Sequence, residues 1–277
     1  MDQPSISVVI PAYNAERFIG DALQSVFDQS KRVSEIVVVD NSSSDDTAKI
    51  ARKLGATVVE EAERGVSAAR NRGIERARMD WIAFMDADDV WSPDKIECQM
   101  KALELYPAAR IITCDSGRIL PNEDRKREVP VLVDPGNLEG VETDGPFSFT
   151  KRYDGSHLGW FLINSSTALL HREVFQWIGN LNVNLEYAQD MEFMFRALKH
   201  FPVATVKRNL AYIRWHGENR TKDAEAYRGH KNEVLKMIKN APDQYPEGLA
   251  NAIIVNEKLE FLEWIRGFQA RIHDNES

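Results

Sequence analysis

Apolar positions in the first 114 residues follow two periods. Five short runs, Ile6–Ile10, Glu35–Asp40, Thr57–Glu60, Trp81–Met85 and Arg110–Cys114, are four to six residues of mostly strand-forming type, each bounded by turn residues. The unbroken Ile36-Val37-Val38-Val39 suits a strand covered on both faces, as in a parallel sheet. Between the runs the period becomes helical, at 15–28, 45–54, 65–78 and 94–106. In the first of these Phe18, Ile19, Ala22, Leu23, Val26 and Phe27 form one stripe. A Ser/Asp cluster precedes the second, which stops before Gly55, and Pro93 and Pro107 bracket the fourth. This alternation predicts an α/β fold: a mostly parallel open sheet with right-handed crossovers and helices on both faces.

The pattern then loosens. Residues 115–160 carry Pro121, Pro130, Pro135 and Pro146 among many glycines, the composition of long irregular loops. Beyond them Asn164–His171 reads as a strand, Arg172–Ile178 as a short helix, Asp190–His200 as a longer one and Leu210–His216 as a strand. Met191, Met194, Phe195 and Leu198 form the apolar stripe of the longer helix. Residues 222–277 read as two charged amphipathic helices, the second with Leu249, Ile253, Leu262, Ile265 and Phe268 on one side.

Charge narrows the classes. Among 277 residues, 35 Lys+Arg stand against 43 Asp+Glu, a net charge of −8, which argues against a nucleic-acid partner. Two cysteines, Cys98 and Cys114, read as reduced buried thiols of a cytoplasmic protein. No apolar stretch reaches the roughly 18–20 residues of a membrane span, so no transmembrane segment is expected, and the N-terminus reads as a first strand.

Ligands of open α/β sheets bind at the carboxyl ends of strands, and here those ends are polar. The first run ends in Pro11-Ala12-Tyr13-Asn14, the second in Asp40-Asn41-Ser42-Ser43-Ser44-Asp45-Asp46 and the fourth in Asp86-Ala87-Asp88-Asp89. Neither a G-x-G-x-x-G nor a G-x-x-x-x-G-K-[ST] loop is present. In extended backbone Asp86 and Asp88 point the same way, so with phosphate oxygens they could hold Mg²⁺ or Mn²⁺. The alternative is an acidic strand end that caps the helix near Pro93.

Taken in order, Ser7–Asn14, Val38–Thr47, Gly65-Val66-Ser67-Ala68-Ala69-Arg70-Asn71-Arg72-Gly73 and Phe84–Asp89 resemble the family 2 glycosyltransferases. Asn164-Ser165-Ser166, Gly179 and Gln189-Asp190-Met191-Glu192 extend the resemblance. It implies a GT-A fold over residues 1–221, with a nucleotide-sugar half at 1–114, an acceptor half at 115–221 and a helical extension at 222–277. It also implies transfer of a sugar from a nucleoside diphosphate, UDP first among the candidates, to a carbohydrate or lipid-linked acceptor hydroxyl in surface polysaccharide or glycoconjugate synthesis. The resemblance makes Pro11, Ala12, Tyr13, Asp40 and Asn41 the base pocket, with Tyr13 stacking and Asp40 accepting a base N–H. Asn41 stands where many relatives have Asp. Arg70 and Asn71 would face phosphate or base oxygens; the alternative is an ion pair from Arg70 to Asp86 or Glu75. Asp86-Ala87-Asp88 corresponds to the family's D-x-D, with Asp88 on the metal. Asp190, preceded by Gln189 where relatives commonly have Glu, would be the general base; the alternative is a helix N-cap. Arg214, His216 and Asn219 fit an R-x-H-x-x-N pattern, giving diphosphate contact to Arg214 and metal or diphosphate contact to His216. The chemistry implied is a single inverting displacement with no Ser or Cys nucleophile.

A nucleotidyltransferase of related fold would want a Gly-rich basic loop after the first strand, which is missing, and a non-catalytic relative would have lost the D-x-D or the base. Tyr153, His157, Trp160 and Phe161 are candidate sugar-stacking or lid residues on the acceptor side; the alternative for Trp160 and Phe161 is the core. The C-terminal helices could form a homodimer, dock a partner or lie on the inner face of a membrane. Glu257, Glu260 and Glu263 on them favour a protein contact.

Overall fold

A computed structural model describes residues 4–120, 126–127, 141–150, 164–185, 188–216 and 224–249. The strands are β1 (Ile6–Ala12), β2 (Glu35–Asp40), β3 (Thr57–Glu60), β4 (Trp81–Phe84), β5 (Val90–Trp91), β6 (Ile111–Ile119), β7 (Lys126–Arg127), β8 (Val141–Asp144), β9 (Phe147–Thr150), β10 (Leu169–His171) and β11 (Val203–Arg214). The helices are α1 (Ile19–Phe27), α2 (Thr47–Lys53), α3 (Val66–Arg76), α4 (Lys95–Leu105), α5 (Arg172–Ile178), α6 (Gln189–His200) and α7 (Ala224–Asn240).

All described strands join one sheet in the order β3-β2-β1-β4-β10-β6-β11-β9-β8, with β5 on β11 and β7 on β6. The pairings β1–β2, β1–β4, β2–β3 and β6–β11 are parallel, and the others, including both edges of β10, are antiparallel. Side-chain alternation builds a core on each face. Val8 and Ile10 of β1 face α1 and α4 through Leu23, Val26, Ile96 and Met100. Val9 faces the other way, into a core with Ile74 of α3, Phe175 of α5 and Phe193 of α6. Gly73 lets α3 lie against β1: a Cβ there would fall 2.2 Å from Val9 Cγ1. Ile238, Tyr245 and Leu249 of the C-terminal segment enter the same second core.

The structure corrects several boundaries. Asn164–Thr167 is not strand: Asn164 Oδ1 accepts the Thr167 N–H at 3.1 Å and starts a single 3-10 turn, leaving Leu169–His171 as β10. The final strand begins at Val203 rather than Leu210 and ends at Arg214, so His216 lies beyond it. Phe27, placed on the apolar stripe of α1, is exposed. The second tail helix lies outside the described residues, as do Tyr153, His157, Trp160, Phe161 and Asn219. Among the described residues no helix is long and apolar enough to cross a membrane.

Lys95 is fully buried, its ammonium 4.0 Å from the Trp91 ring centroid and 2.9 Å from Gln99 Oε1. Burial, partly offset by Cys114, lowers its pKa from 10.5 to about 8. The unfolded chain therefore binds this proton more tightly, and the penalty is complete below about pH 8 and gone above 10.5. Relative to a Lys95→Met variant, the native protein should gain on the order of 3 kcal/mol between those limits. Chemical denaturation of both proteins at pH 7 and 10 measures this; a pH-independent difference would contradict it.

Candidate active site

β1 runs between β2 and β4, so the carboxyl ends of three strands open on one edge, at the point where successive crossovers diverge. The loops there interlock. Asn14 (φ 48°) donates its N–H to Ser43 Oγ at 3.1 Å, and its Oδ1 accepts the Ser44 N–H at 2.8 Å. Asp45 accepts the Thr47 N–H at 3.0 Å, just ahead of α2, whose N-cap residue is Asp46. Burial pushes the Asp45 carboxyl up, but its hydrogen bonds from Thr47 and Glu16 outweigh that and hold it below its usual range.

Tyr13 is 51% exposed, with the Arg64 guanidinium 5.3 Å from its ring centroid, while Asp40 is 8% exposed and accepts the Ser43 N–H at 3.3 Å. Pro11 and Ala12 are buried beneath them. Asn41 is fully committed to backbone: Nδ2 donates to Glu61 O (3.0 Å) and Glu63 O (2.7 Å), and Oδ1 accepts the Gly65 N–H (2.9 Å). An Asp at this position could make the last bond but not the first two, so Asn41 ties the end of β2 to the segment before α3.

Deeper in the cleft, Arg70 is 3% exposed and its Nη2 lies 2.7 Å from Asp86 Oδ1, whereas Glu75 pairs with Arg72. The Asn71 amide closes a pair of bonds with Leu181, donating to its carbonyl (2.9 Å) and accepting its N–H (3.0 Å). Asp88 Oδ2 faces His216 Nε2 at 2.9 Å. Burial first and Asp86 second push the Asp88 carboxyl up, against the His216 contact. Ala87 between the two acids is buried.

The spacing pattern left some of this site out. Asp89, 3% exposed, accepts from Ser166 Oγ (2.5 Å) and from the Arg214 N–H (3.0 Å), while Ser166 Oγ also receives the Asp86 N–H (3.0 Å). Complete burial, then Asp88 and Asp86, raise the Asp89 carboxyl well above its ordinary range. Arg214 Nε donates to Asp88 O (3.0 Å) and Nη2 to Asp21 (3.1 Å), and the Phe18 ring lies 5.3 Å from its guanidinium and 4.7 Å from the His216 ring. The third acid of D-A-D-D and the second serine of N-S-S were visible signals; Phe18 and Asp21 had none. Arg70, Asp86, Asp88, Arg214 and His216 thus form one contiguous network.

Asp190 stands apart from that network. It lies in the first turn of α6, and its Oδ1 accepts the Met191 N–H at 2.9 Å. The helix is capped instead at Ala188, in left-handed conformation (φ 53°), so Asp190 is not the N-cap. Gln189 beside it is 8% exposed, and its Oε1 has no hydrogen-bond partner among the described residues. Both cysteines are free and buried, and burial pushes the Cys114 thiol up to about 12, which fits no nucleophilic role.

No group of three or more His, Cys, Asp or Glu side chains able to hold a metal forms among the described residues. Asp88 and His216 do offer one carboxylate oxygen and one imidazole nitrogen side by side. Such a pair fits a divalent cation that takes its other ligands from a substrate.

The sequence pattern of glycosyl transferase family 2 matches residues 7–178. TuaG of Bacillus subtilis, named as a teichuronic acid biosynthesis glycosyltransferase, is 39% identical over 106 residues, 36% of this chain and 42% of TuaG. EpsH of the same organism, named as a glycosyltransferase, is 28% identical over 237 residues, 78% of this chain and 62% of EpsH. The chain thus spans less than two thirds of either relative. Among solved structures, residues 1–349 of Staphylococcus aureus TarS align with TM-score 0.61 at 19% identity, covering 85% of this chain and 66% of that one. The same protein in complex with UDP-GlcNAc aligns with TM-score 0.62 at 17% identity, over 85% of this chain and 67% of that one.

Proposed function

Because the chain belongs to glycosyl transferase family 2, we propose that it transfers a sugar from a UDP-sugar to an acceptor hydroxyl, with inversion, in polysaccharide synthesis. The network that joins Arg70, Asp86, Asp88, Arg214 and His216 at the carboxyl edge of the sheet carries this reading. Tyr13 offers a face for the base and Asp40 an acceptor for its N–H, and Arg70 fixes Asp86 toward the ribose and sugar hydroxyls. Arg214 is placed for the diphosphate, since a guanidinium matches phosphate oxygens. Asp88 and His216 would hold Mg²⁺ or Mn²⁺, which when bound neutralises charge on the departing diphosphate. Asp190 takes the proton of the acceptor hydroxyl as the oxygen attacks the anomeric carbon opposite the leaving group. TuaG and EpsH, and the UDP-GlcNAc complex of TarS, support this substrate class. The acceptor is a carbohydrate or lipid-linked glycan.

A thermal-shift screen of UDP, GDP, dTDP and CDP with Mg²⁺, Mn²⁺ or excess chelator tests the donor side. UDP with a cation should raise the midpoint by several degrees, because a ligand bound only to the native state stabilises it by mass action. Equal shifts with chelator would remove the metal from Asp88 and His216, and no shift with any nucleotide would remove the donor assignment.

A further inference from the structure

Away from the donor network, α3 and the segment 243–245 are bonded to the α5–α6 connection and to α6 itself. From one side, Asn71 of α3 grips Leu181 by both its N–H and its carbonyl, across a sequence separation of 110 residues. From the other, Arg196 of α6 donates Nη1 to Ile178 O (2.6 Å) and Nη2 to Asn180 O (3.1 Å). Arg196 is held in turn by Glu192, one turn back on α6, at 2.5 Å and 2.9 Å. Glu192 Oε1 also receives the Tyr245 hydroxyl at 3.1 Å, and Lys199 of α6 donates to Asp243 O. Tyr245 is 4% exposed, so this contact belongs to the core and not to the surface.

We propose that these bonds form a truss that sets the position of α6, and therefore of Asp190, against the donor carboxylates, making Asn71 and Tyr245 positioning residues. The register passes along α3: Arg70 holds Asp86, the next residue holds Leu181, and Arg196 transmits that position to the helix whose first turn carries Asp190. A helix starting from a left-handed residue, Ala188, has no side-chain cap to locate its first turn, so its placement must come from elsewhere. The segment 242–249 is thereby a working part of the catalytic body, although the family match ends at residue 178. The proposal rests on Asp190 acting as the general base.

Asn71→Ala and Tyr245→Phe test it with three readouts: UDP affinity, UDP-sugar turnover and amide hydrogen exchange. Asn71→Ala should accelerate exchange across 180–192 about 10-fold. It should lower kcat about 10- to 100-fold, the sensitivity expected of a base displaced by about an ångström, with the UDP Kd changed less than about 2-fold. Tyr245→Phe should do the same more mildly, with faster exchange in 189–196 and kcat reduced about 3- to 10-fold, the net worth of one ordinary hydrogen bond. Turnover unchanged while 180–192 loosens would overturn the truss, as would UDP affinity falling in step with kcat. If the unmodified protein neither binds UDP nor consumes UDP-sugar, the catalytic reading fails instead, and the exchange coupling between Asn71 and 180–192 remains as a separate result.

Discussion

Asp190→Asn should lower sugar transfer by about 10²- to 10⁴-fold while the UDP Kd stays within about 2-fold. The substitution removes proton affinity and little else. An Asn Oδ1 can still accept the Met191 N–H that Asp190 accepts at 2.9 Å, and the helix start at Ala188 does not use the side chain. The donor network does not include Asp190, so nucleotide binding has no reason to change. Donor consumption under saturating UDP-sugar measures the first quantity and calorimetry with UDP the second. Transfer at the parental rate would show that the acceptor proton leaves by another route; a large loss of UDP affinity would show that Asp190 supports the cleft rather than the chemistry.

The largest stability effect should come from Arg196→Leu, at about 3–5 kcal/mol. The Arg196 and Glu192 side chains are 12% and 4% exposed, and the guanidinium supplies two of the carboxylate's hydrogen bonds as well as those to Ile178 O and Asn180 O. Among the described residues, removing the cation leaves buried Glu192 with the Tyr245 hydroxyl as its one remaining side-chain partner and takes the Arg196 donors from two carbonyls. The double variant Glu192→Met/Arg196→Leu should recover much of the loss, because the uncompensated charge disappears with its partner. Urea denaturation of the three proteins decides it. A single-variant cost below about 1 kcal/mol, the range of exposed pairs, would mean that water reaches Glu192.

Most of the first half was legible in the sequence because its strands are covered on both faces, so Ile36–Val39 and Trp81–Phe84 announce themselves as unbroken apolar runs. β5 escaped notice: Val90–Trp91 is two residues long and follows an acidic run. The first part of β11 was hidden by Lys207, Arg208 and Asn209, where the pairing with β6 shifts register and the apolar period breaks. The residues proposed for the donor side stand out in the sequence because they cluster at strand ends. The backbone bonds of Asn71 and Asn41 did not, since an amide that binds backbone far away in the chain looks the same in sequence as one that binds a ligand. Arg70 needed the structure to choose between Asp86 and Glu75.

β10 carries a consequence for the order in which the protein can form. This short strand, Leu169–His171, lies between β4 and β6 and pairs antiparallel with both. During synthesis β1, β2, β3 and β4 emerge and can pair early, but β4 keeps an open edge until some 85 further residues have followed. Such an edge invites pairing with another chain while it waits. A fragment ending near residue 114 would keep that edge permanently and should self-associate rather than stand as a separate unit.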